Sequence, residues 1–120
     1  MIEFRIKHKI TAKDSTNASH AGQHWTVRKR KVDYWHMLTK EALQVVPRKV
    51  MKSPVMIEMI FDSSLDIDNH SSIAKYIIDG LVLDGWLLGD SKKHVQGLCL
   101  WFKKDAEFNG NSIIVKVVEL

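Results

Sequence analysis

Three aspartates are the strongest candidates for chemistry in this chain: Asp66 and Asp68, which are two residues apart, and Asp90, which follows a predicted helix. In an extended segment alternate side chains point to the same side, so Asp66 and Asp68 could share a cation. Carboxylate oxygens are the ligands that Mg²⁺ prefers, and a bound cation would relieve the repulsion among three carboxylates. The spacing therefore predicts a magnesium site, with a solvated loop at a helix start as the alternative.

The position of Asp90 along the chain is compatible with such a cluster. A helix over about residues 72–84 would travel roughly 20 Å from its start, and extended residues 85–89 would return roughly 17 Å. Because the two paths nearly cancel, Asp90 is predicted to lie beside Asp66 and Asp68.

The charges are divided unevenly along the chain. Residues 1–52 hold twelve Lys and Arg against four Asp and Glu, whereas residues 53–120 hold six against ten. The net charge of +4 therefore combines a +8 half with a −4 half. A basic surface attracts phosphates, so the first half predicts a polyanionic partner. The candidate nucleic-acid-binding residues in that half are His24, Arg28, Lys29, Arg30 and Lys31.

Composition places the chain among single globular domains, with 120 residues of which 45% are hydrophobic and 27% charged. The lone Cys99 excludes an intrachain disulfide, and a reducing, cytoplasmic setting is expected. Glu3 and Arg5 interrupt any signal-peptide core, and the most apolar segment, residues 81–88, contains Asp84. Secretion and membrane spanning are therefore not expected.

Hydrophobic periodicity predicts the elements that position these residues. Strands are predicted over residues 2–10, 54–61, 94–103 and 112–119, and helices over about residues 25–46 and 72–84. Residues 11–23 are predicted as a loop, Pro47 and Gly85 as helix ends, and Asn109-Gly110 as the turn of a terminal hairpin. The four tryptophans lie in apolar segments, which predicts core packing for most of them. The order β-α-β-α-β-β predicts an α+β domain with a mixed β-sheet and two helices.

These residues together resemble the pattern of a known nuclease family. The pattern consists of Asp66-Ile67-Asp68-Asn69, of Lys75 and Asp79 four residues apart, of the run Gly85-Trp86-Leu87-Leu88-Gly89-Asp90 with Val95 after it, and of an N-terminal segment with Asn17, His24-Trp25 and a basic helix. In these positions the chain is similar to the RusA family of phage-type Holliday junction resolvases, from the first strand to about residue 95.

The resemblance implies one RusA-like domain over residues 1–120 and a homodimer that cuts four-way DNA junctions. The cofactor would be Mg²⁺, which Mn²⁺ could replace, with no membrane and no further small-molecule cofactor. The catalytic and metal-binding carboxylates would be Asp66, Asp68 and Asp90, and Lys75 would be a catalytic basic residue. Asp79 would orient Lys75, and Asn69 would shape the acidic turn. Family members are commonly encoded by phages and prophages, which implies the bacterial cytoplasm.

The chain departs from the family pattern at three places. The interval from Asn69 to Lys75 is three residues longer than in the best-known member, Gly89 stands where many members have another Asp, and residues 62–65 replace a basic run. Two other functions fit the same residues: a non-catalytic nucleic-acid-binding protein with a structural acidic loop, and a nuclease acting on other branched DNA or RNA. Lys75 could also form only a helical ion pair with Asp79.

Overall fold

The computed structural model describes residues 1–20, 25–104 and 112–120. In these ranges the chain forms four strands, β1 (Ile2–Lys7), β2 (Val55–Phe61), β3 (Val95–Phe102) and β4 (Ser112–Glu119), and three α-helices, α1 (Thr16–His20), α2 (Trp25–Leu43) and α3 (Ser71–Leu83). Short 3₁₀ turns lie at Ala12–Asp14 and Ile67–His70. The α+β class predicted from the sequence is confirmed.

The strands form one mixed sheet in the order β1-β4-β2-β3. β4 lies antiparallel between β1 and β2, whereas β2 and β3 are parallel and are connected through α3. The predicted pairing of the last two strands as a hairpin is wrong, because β2 separates them. On one edge of β2, Ile57 and Met59 pair with Val117 and Val115 of β4, and the other edge of β2 pairs with β3. The turn signal Asn109-Gly110 lies outside the described residues.

The helices cover one face of the sheet. Alternate residues of β2 are buried, and they form one core with residues of both long helices: Val55, Ile57, Met59 and Phe61 pack in a cluster with Trp35 of α2 and with Ile73, Ile77 and Leu81 of α3. The intervening residues Glu58 and Ile60 point to the opposite, uncovered face and are only partly buried. None of the described helices is both long enough and apolar enough to cross a lipid bilayer.

The segment predicted as a loop over residues 11–23 instead contains a 3₁₀ turn and α1. The Thr11 N–H donates to the Asp14 carboxylate at 2.9 Å, and the Ala18 N–H donates to Ser15 Oγ at 3.1 Å. Small polar side chains therefore hold these turns by local capping. Hydrophobic periodicity does not detect such short elements, because they present no continuous apolar face.

The predicted end of α3 at Gly85 is confirmed. Gly85 has a φ of +78°, and the Trp86 N–H donates to the Leu81 carbonyl at 2.9 Å. A Cβ at position 85 would lie 2.6 Å from Nη2 of Arg48, whose guanidinium stacks over Trp86 at 4.7 Å. The positive φ therefore favours glycine here, whereas the Arg48 guanidinium could move aside, and the turn sends the chain toward Asp90.

Candidate active site

The acidic segment leaves the carboxyl end of β2 and enters α3. Asp66 is extended, with φ −64° and ψ 152°, and it precedes the 3₁₀ turn Ile67–His70, which contains Asp68. The Asn69 N–H closes this turn by donating to the Asp66 carbonyl at 3.0 Å. The extended geometry assumed for both aspartates is therefore wrong at Asp68, because the 3₁₀ turn breaks the alternation of side chains. Both side chains are exposed.

A buried histidine anchors this acidic turn. His70 is fully buried, and its ring stacks on Phe61 with centroids 4.2 Å apart and planes at 29°. Its Nδ1 lies 3.1 Å from the Ile67 carbonyl, and its Nε2 lies 2.6 Å from Ser63 Oγ. A carbonyl only accepts, so Nδ1 carries the proton and Nε2 accepts from the Ser63 hydroxyl. The histidine thus joins both ends of the loop that carries Asp66.

Burial lowers the pKa of His70 below its ordinary value of 6.5. The backbone groups of Ile67 and Asp66 and the charge of Asp68 act in the opposite direction and are outweighed. The imidazole is therefore held in its neutral form, which matches the hydrogen bonds it makes. Sequence reasoning missed this residue, because a lone histidine between an acidic run and a helix carries no signal of its own burial.

The start of α3 is capped by a distant segment. His70 stands at the capping position without a side-chain cap hydrogen bond. Instead, Thr16 Oγ1 accepts from the Ser72 N–H at 3.1 Å and lies 2.9 Å from Ser71 Oγ. The cap of α3 therefore comes from a segment that is distant in sequence. The contact docks α1, which contains Asn17, against the acidic turn.

Lys75 lies between two carboxylates. Its Nζ is 3.5 Å from Oδ1 of Asp79 and 3.9 Å from Oδ2 of Asp90. The chain after α3 therefore returns along the helix far enough for Asp90 to reach the ammonium of Lys75. The Lys75 side chain is 68% exposed, so both ion pairs are screened by water and contribute little to stability. The structure thus brings together three of the residues singled out in the sequence.

The three candidate metal ligands are not gathered in one cluster. Among the described residues, no group of three or more His, Cys, Asp and Glu side chains is placed to hold a metal ion. Asp66, Asp68 and Asp90 nevertheless suit Mg²⁺ by type, because all three offer exposed carboxylate oxygens. The residues fit the ion in their donor chemistry, and the ligand set stays a prediction.

Position 89 is a glycine where the RusA pattern often has an acid, and the structure leaves little room for a side chain there. A Cβ at Gly89 would lie 2.7 Å from Cδ2 and 3.2 Å from Nε2 of His94. The His94 ring therefore occupies the volume that a side chain at position 89 would need. An aspartate there would have to displace this ring. Asp90 is the one acid in residues 85–94.

The predicted basic run occupies the first turns of α2. Lys29 donates to the Asp33 carboxylate at 2.8 Å, and Lys31 Nζ donates to the Lys13 carbonyl at 2.8 Å. These two cations are thus partly engaged within the chain. The side chains of Arg28 and Arg30 in the same turns are exposed. His24 lies outside the described residues.

A scan against protein-family models and a search of curated proteins find no match to this chain. Support for a function therefore comes from the residues and from the geometry described above.

Proposed function

We propose that this chain is a Mg²⁺-dependent, structure-selective endodeoxyribonuclease that acts on four-way DNA junctions, as its resemblance to the RusA family implies. One observation carries the proposal. Lys75 lies between Asp79 and Asp90, on the helix that begins directly after Asp66 and Asp68. An exposed ammonium held by two carboxylates is suited to neutralise the charge of a reacting phosphodiester.

Lys75 would be the group that meets the phosphate. A phosphodiester that approaches would compete with Asp79 and Asp90 for the ammonium. Release is inexpensive, because both ion pairs are long and exposed. The ammonium would then donate hydrogen bonds to the charge that develops on the phosphate oxygens or on the leaving oxygen. Asp79, four residues along the same helix face, would keep Lys75 oriented.

Asp66, Asp68 and Asp90 would hold Mg²⁺, and Mn²⁺ could replace it. A bound divalent ion supplies Lewis-acid stabilisation of negative charge at the phosphodiester. His70 supports this role, because its hydrogen bonds and its stacking on the core fix the turn that carries two of the three carboxylates. Without the ion, the ammonium of Lys75 offsets the charge of Asp90.

The basic run on α2 would bind the DNA backbone together with His24. Arg28, Lys29, Arg30 and Lys31 point in several directions around the helix, so only some of them would contact any one stretch of phosphates. A four-way junction offers two symmetry-related scissile phosphates, which a two-fold homodimer can engage together. The proposed setting is the cytoplasm of a bacterial host, with a phage or prophage as the source.

The test is incubation of the protein with labelled four-way junction, duplex and single-stranded DNA, with Mg²⁺ or with EDTA. We expect nicking of the junction in Mg²⁺ alone. Asp68→Asn removes one carboxylate charge with little change of shape, so cleavage should fall by at least about 100-fold while junction binding remains. The matched control is Glu41→Gln, which removes the same charge from an exposed residue of α2 and should leave cleavage unchanged.

Three outcomes would contradict the proposal. Junction binding without nicking of any substrate would indicate a non-catalytic nucleic-acid-binding protein. Cleavage without preference for four-way junctions would indicate a nuclease acting on other branched DNA or on RNA. Equal activity of Asp68→Asn and the wild type would exclude the acidic turn from the reaction.

A further inference from the structure

The face of the sheet that the helices leave uncovered carries a row of residues from all four strands. The strand register places Arg5 of β1 next to Ile114 of β4, Ile114 next to Ile60 of β2, and Ile60 next to Trp101 of β3. Neighbouring strands are about 4.8 Å apart, so the row spans roughly 14 Å. It has a guanidinium at one end and an indole at the other.

A concavity of about 240 Å³ lies on this face. Its lining has four cations, Arg5, Lys103, Lys104 and Lys116, and two carboxylates, Glu3 and Asp62. The Lys116 ammonium is placed 3.8 Å from Glu3 and 4.0 Å from Glu58. The concavity therefore has an excess of positive charge, which favours an anionic ligand.

A second concavity, also of about 240 Å³, adjoins the first and shares Ile60 and Lys103 with it. Trp101 and Phe102 line it, and their side chains are 54% and 57% exposed. The prediction of core packing holds for Trp35 and Trp86, which are buried, but it is wrong for Trp101 and for Trp25, which is 68% exposed. β3 is an edge strand, and among the described elements no strand or helix covers the indole.

We propose that this uncovered face binds an unpaired segment of a nucleic-acid strand. A base would stack on Trp101, and the adjoining phosphates would enter the concavity lined by Arg5, Lys103, Lys104 and Lys116. Aromatic side chains next to a cationic groove bind single strands with little sequence preference, since every base has a π-face. Duplex bases are stacked on one another and cannot reach the indole, so the face selects unpaired strands.

The uncovered face lies near the start of the acidic segment, but binding to this face does not require that segment. Asp62, which lines the cationic concavity, directly follows β2 and begins the acidic segment. A strand held against Lys103 and Lys104 would therefore lie next to the start of that segment. Binding itself requires neither metal nor cleavage, so this proposal goes beyond the proposed nuclease and can be tested apart from it.

The first test is fluorescence anisotropy of a labelled oligothymidylate with the full chain in EDTA. Trp101→Ala should weaken binding by about 5-fold to 100-fold, because base–aromatic stacking is lost. Leu98→Ala is the matched control, since Leu98 is a partly exposed apolar residue of the same strand on its other face. It should bind as the wild type does. Melting curves should show that both variants are folded.

The second test uses the salt dependence of the same binding. The double variant Lys103→Ala/Lys104→Ala removes two phosphate contacts, so the slope of log affinity against log salt should fall by about 1.4. The control is Lys92→Ala/Lys93→Ala, which removes an exposed lysine pair that precedes the first residue of β3. It should keep the wild-type slope.

Several results would overturn this proposal. They are wild-type affinity of Trp101→Ala, an equal loss in Leu98→Ala, an unchanged slope in the Lys103/Lys104 variant, and preference for duplex over the single strand. Sedimentation equilibrium covers the remaining case: a wild-type dimer that becomes monomeric in Trp101→Ala would make this face a contact between two copies of the chain. Asp68→Asn should bind the oligonucleotide as the wild type does. Failure of the binding proposal can therefore be distinguished from failure of the nuclease proposal.

Discussion

The two faces of the sheet differ in chemistry although the same four strands build both. On the helix side, Ile57, Met59 and Phe61 of β2 have no exposed surface. On the uncovered side, the intervening Glu58 and Ile60 are only partly buried and lie among charged neighbours. Strand alternation therefore identifies which side chains build the core. It does not reveal what the opposite side chains form once four strands are placed side by side.

The comparison also changes the meaning of the charge distribution. Three of the four cations in the uncovered concavity, Lys103, Lys104 and Lys116, belong to the half of the chain with net charge −4. The fourth, Arg5, comes from the basic half, and it joins them because β1 pairs with β4. Charge counted along the chain therefore misses a cationic surface that the sheet assembles from both halves.

The largest expected difference between the two faces is in stability. Phe61→Ala should lower the free energy of unfolding by about 3–5 kcal/mol, because it opens a cavity in the core and removes the stacking partner of His70. Ile60→Ala, the neighbouring residue on the uncovered face, should cost about 1 kcal/mol. Urea unfolding measures both values, and equal costs would contradict the division into core and uncovered faces.

A smaller effect is expected where the core meets the acidic turn. His70→Ala leaves the Ser63 hydroxyl and the Ile67 carbonyl without their partner and should lower the free energy of unfolding by about 2 kcal/mol. His70→Asn can still donate to the Ile67 carbonyl and should lose less. Urea unfolding in EDTA gives both values. If the alanine variant were as stable as the wild type, His70 would not anchor the turn.

The pH dependence of stability should show the same anchor. Burial lowers the pKa of His70 in the folded chain below the unfolded value of 6.5. Above this value both states hold a neutral imidazole, and below it the unfolded chain binds the proton first. Stability should therefore fall as the pH drops from 6.5 through the folded pKa. The midpoints of urea unfolding, measured against pH for the wild type and for His70→Asn, test this pH dependence. Parallel curves for the two proteins would mean that His70 is not its source.

The smallest effect is expected for the charge pairs of the uncovered face. Lys116→Ala removes contacts of 3.8 and 4.0 Å to Glu3 and Glu58. Long, partly exposed surface pairs of this kind contribute less than about 1 kcal/mol. The loss should shrink further in concentrated salt. Thermal unfolding at low and high salt measures it. A large, salt-independent loss would mean that this face is held as tightly as the helix side.

Part of the candidate site could be predicted from the sequence. The path length of α3 and the residues after it predicted that Asp90 returns to Asp66 and Asp68. The structure brings Asp90 within 3.9 Å of the Lys75 ammonium but, among the described residues, does not gather the three carboxylates into a metal-binding group. The conformation of Asp68 was predicted incorrectly. A 3₁₀ turn depends on hydrogen bonds between residues three apart, which leave no periodic pattern in the sequence. The anchor His70 could not be found, since its burial depends on Phe61 and on the helices above the sheet.

The sequence by itself determined the elements whose causes are local. Period-two alternation placed β1 and β2, three- and four-residue spacing placed α2 and α3, and Gly85 ended α3 because only glycine readily adopts its φ of +78°. These signals act over a few residues, so they survive without knowledge of the rest of the chain.

Only the tertiary structure decided the partners. β2 paired with both β3 and β4 and excluded the predicted hairpin, Thr16 capped a helix 55 residues away at Ser71, and the edge position of β3 left Trp101 exposed. The physical reason is competition. Each strand edge, helix end and apolar side chain takes the partner that the whole fold brings near, and that partner is distant in sequence.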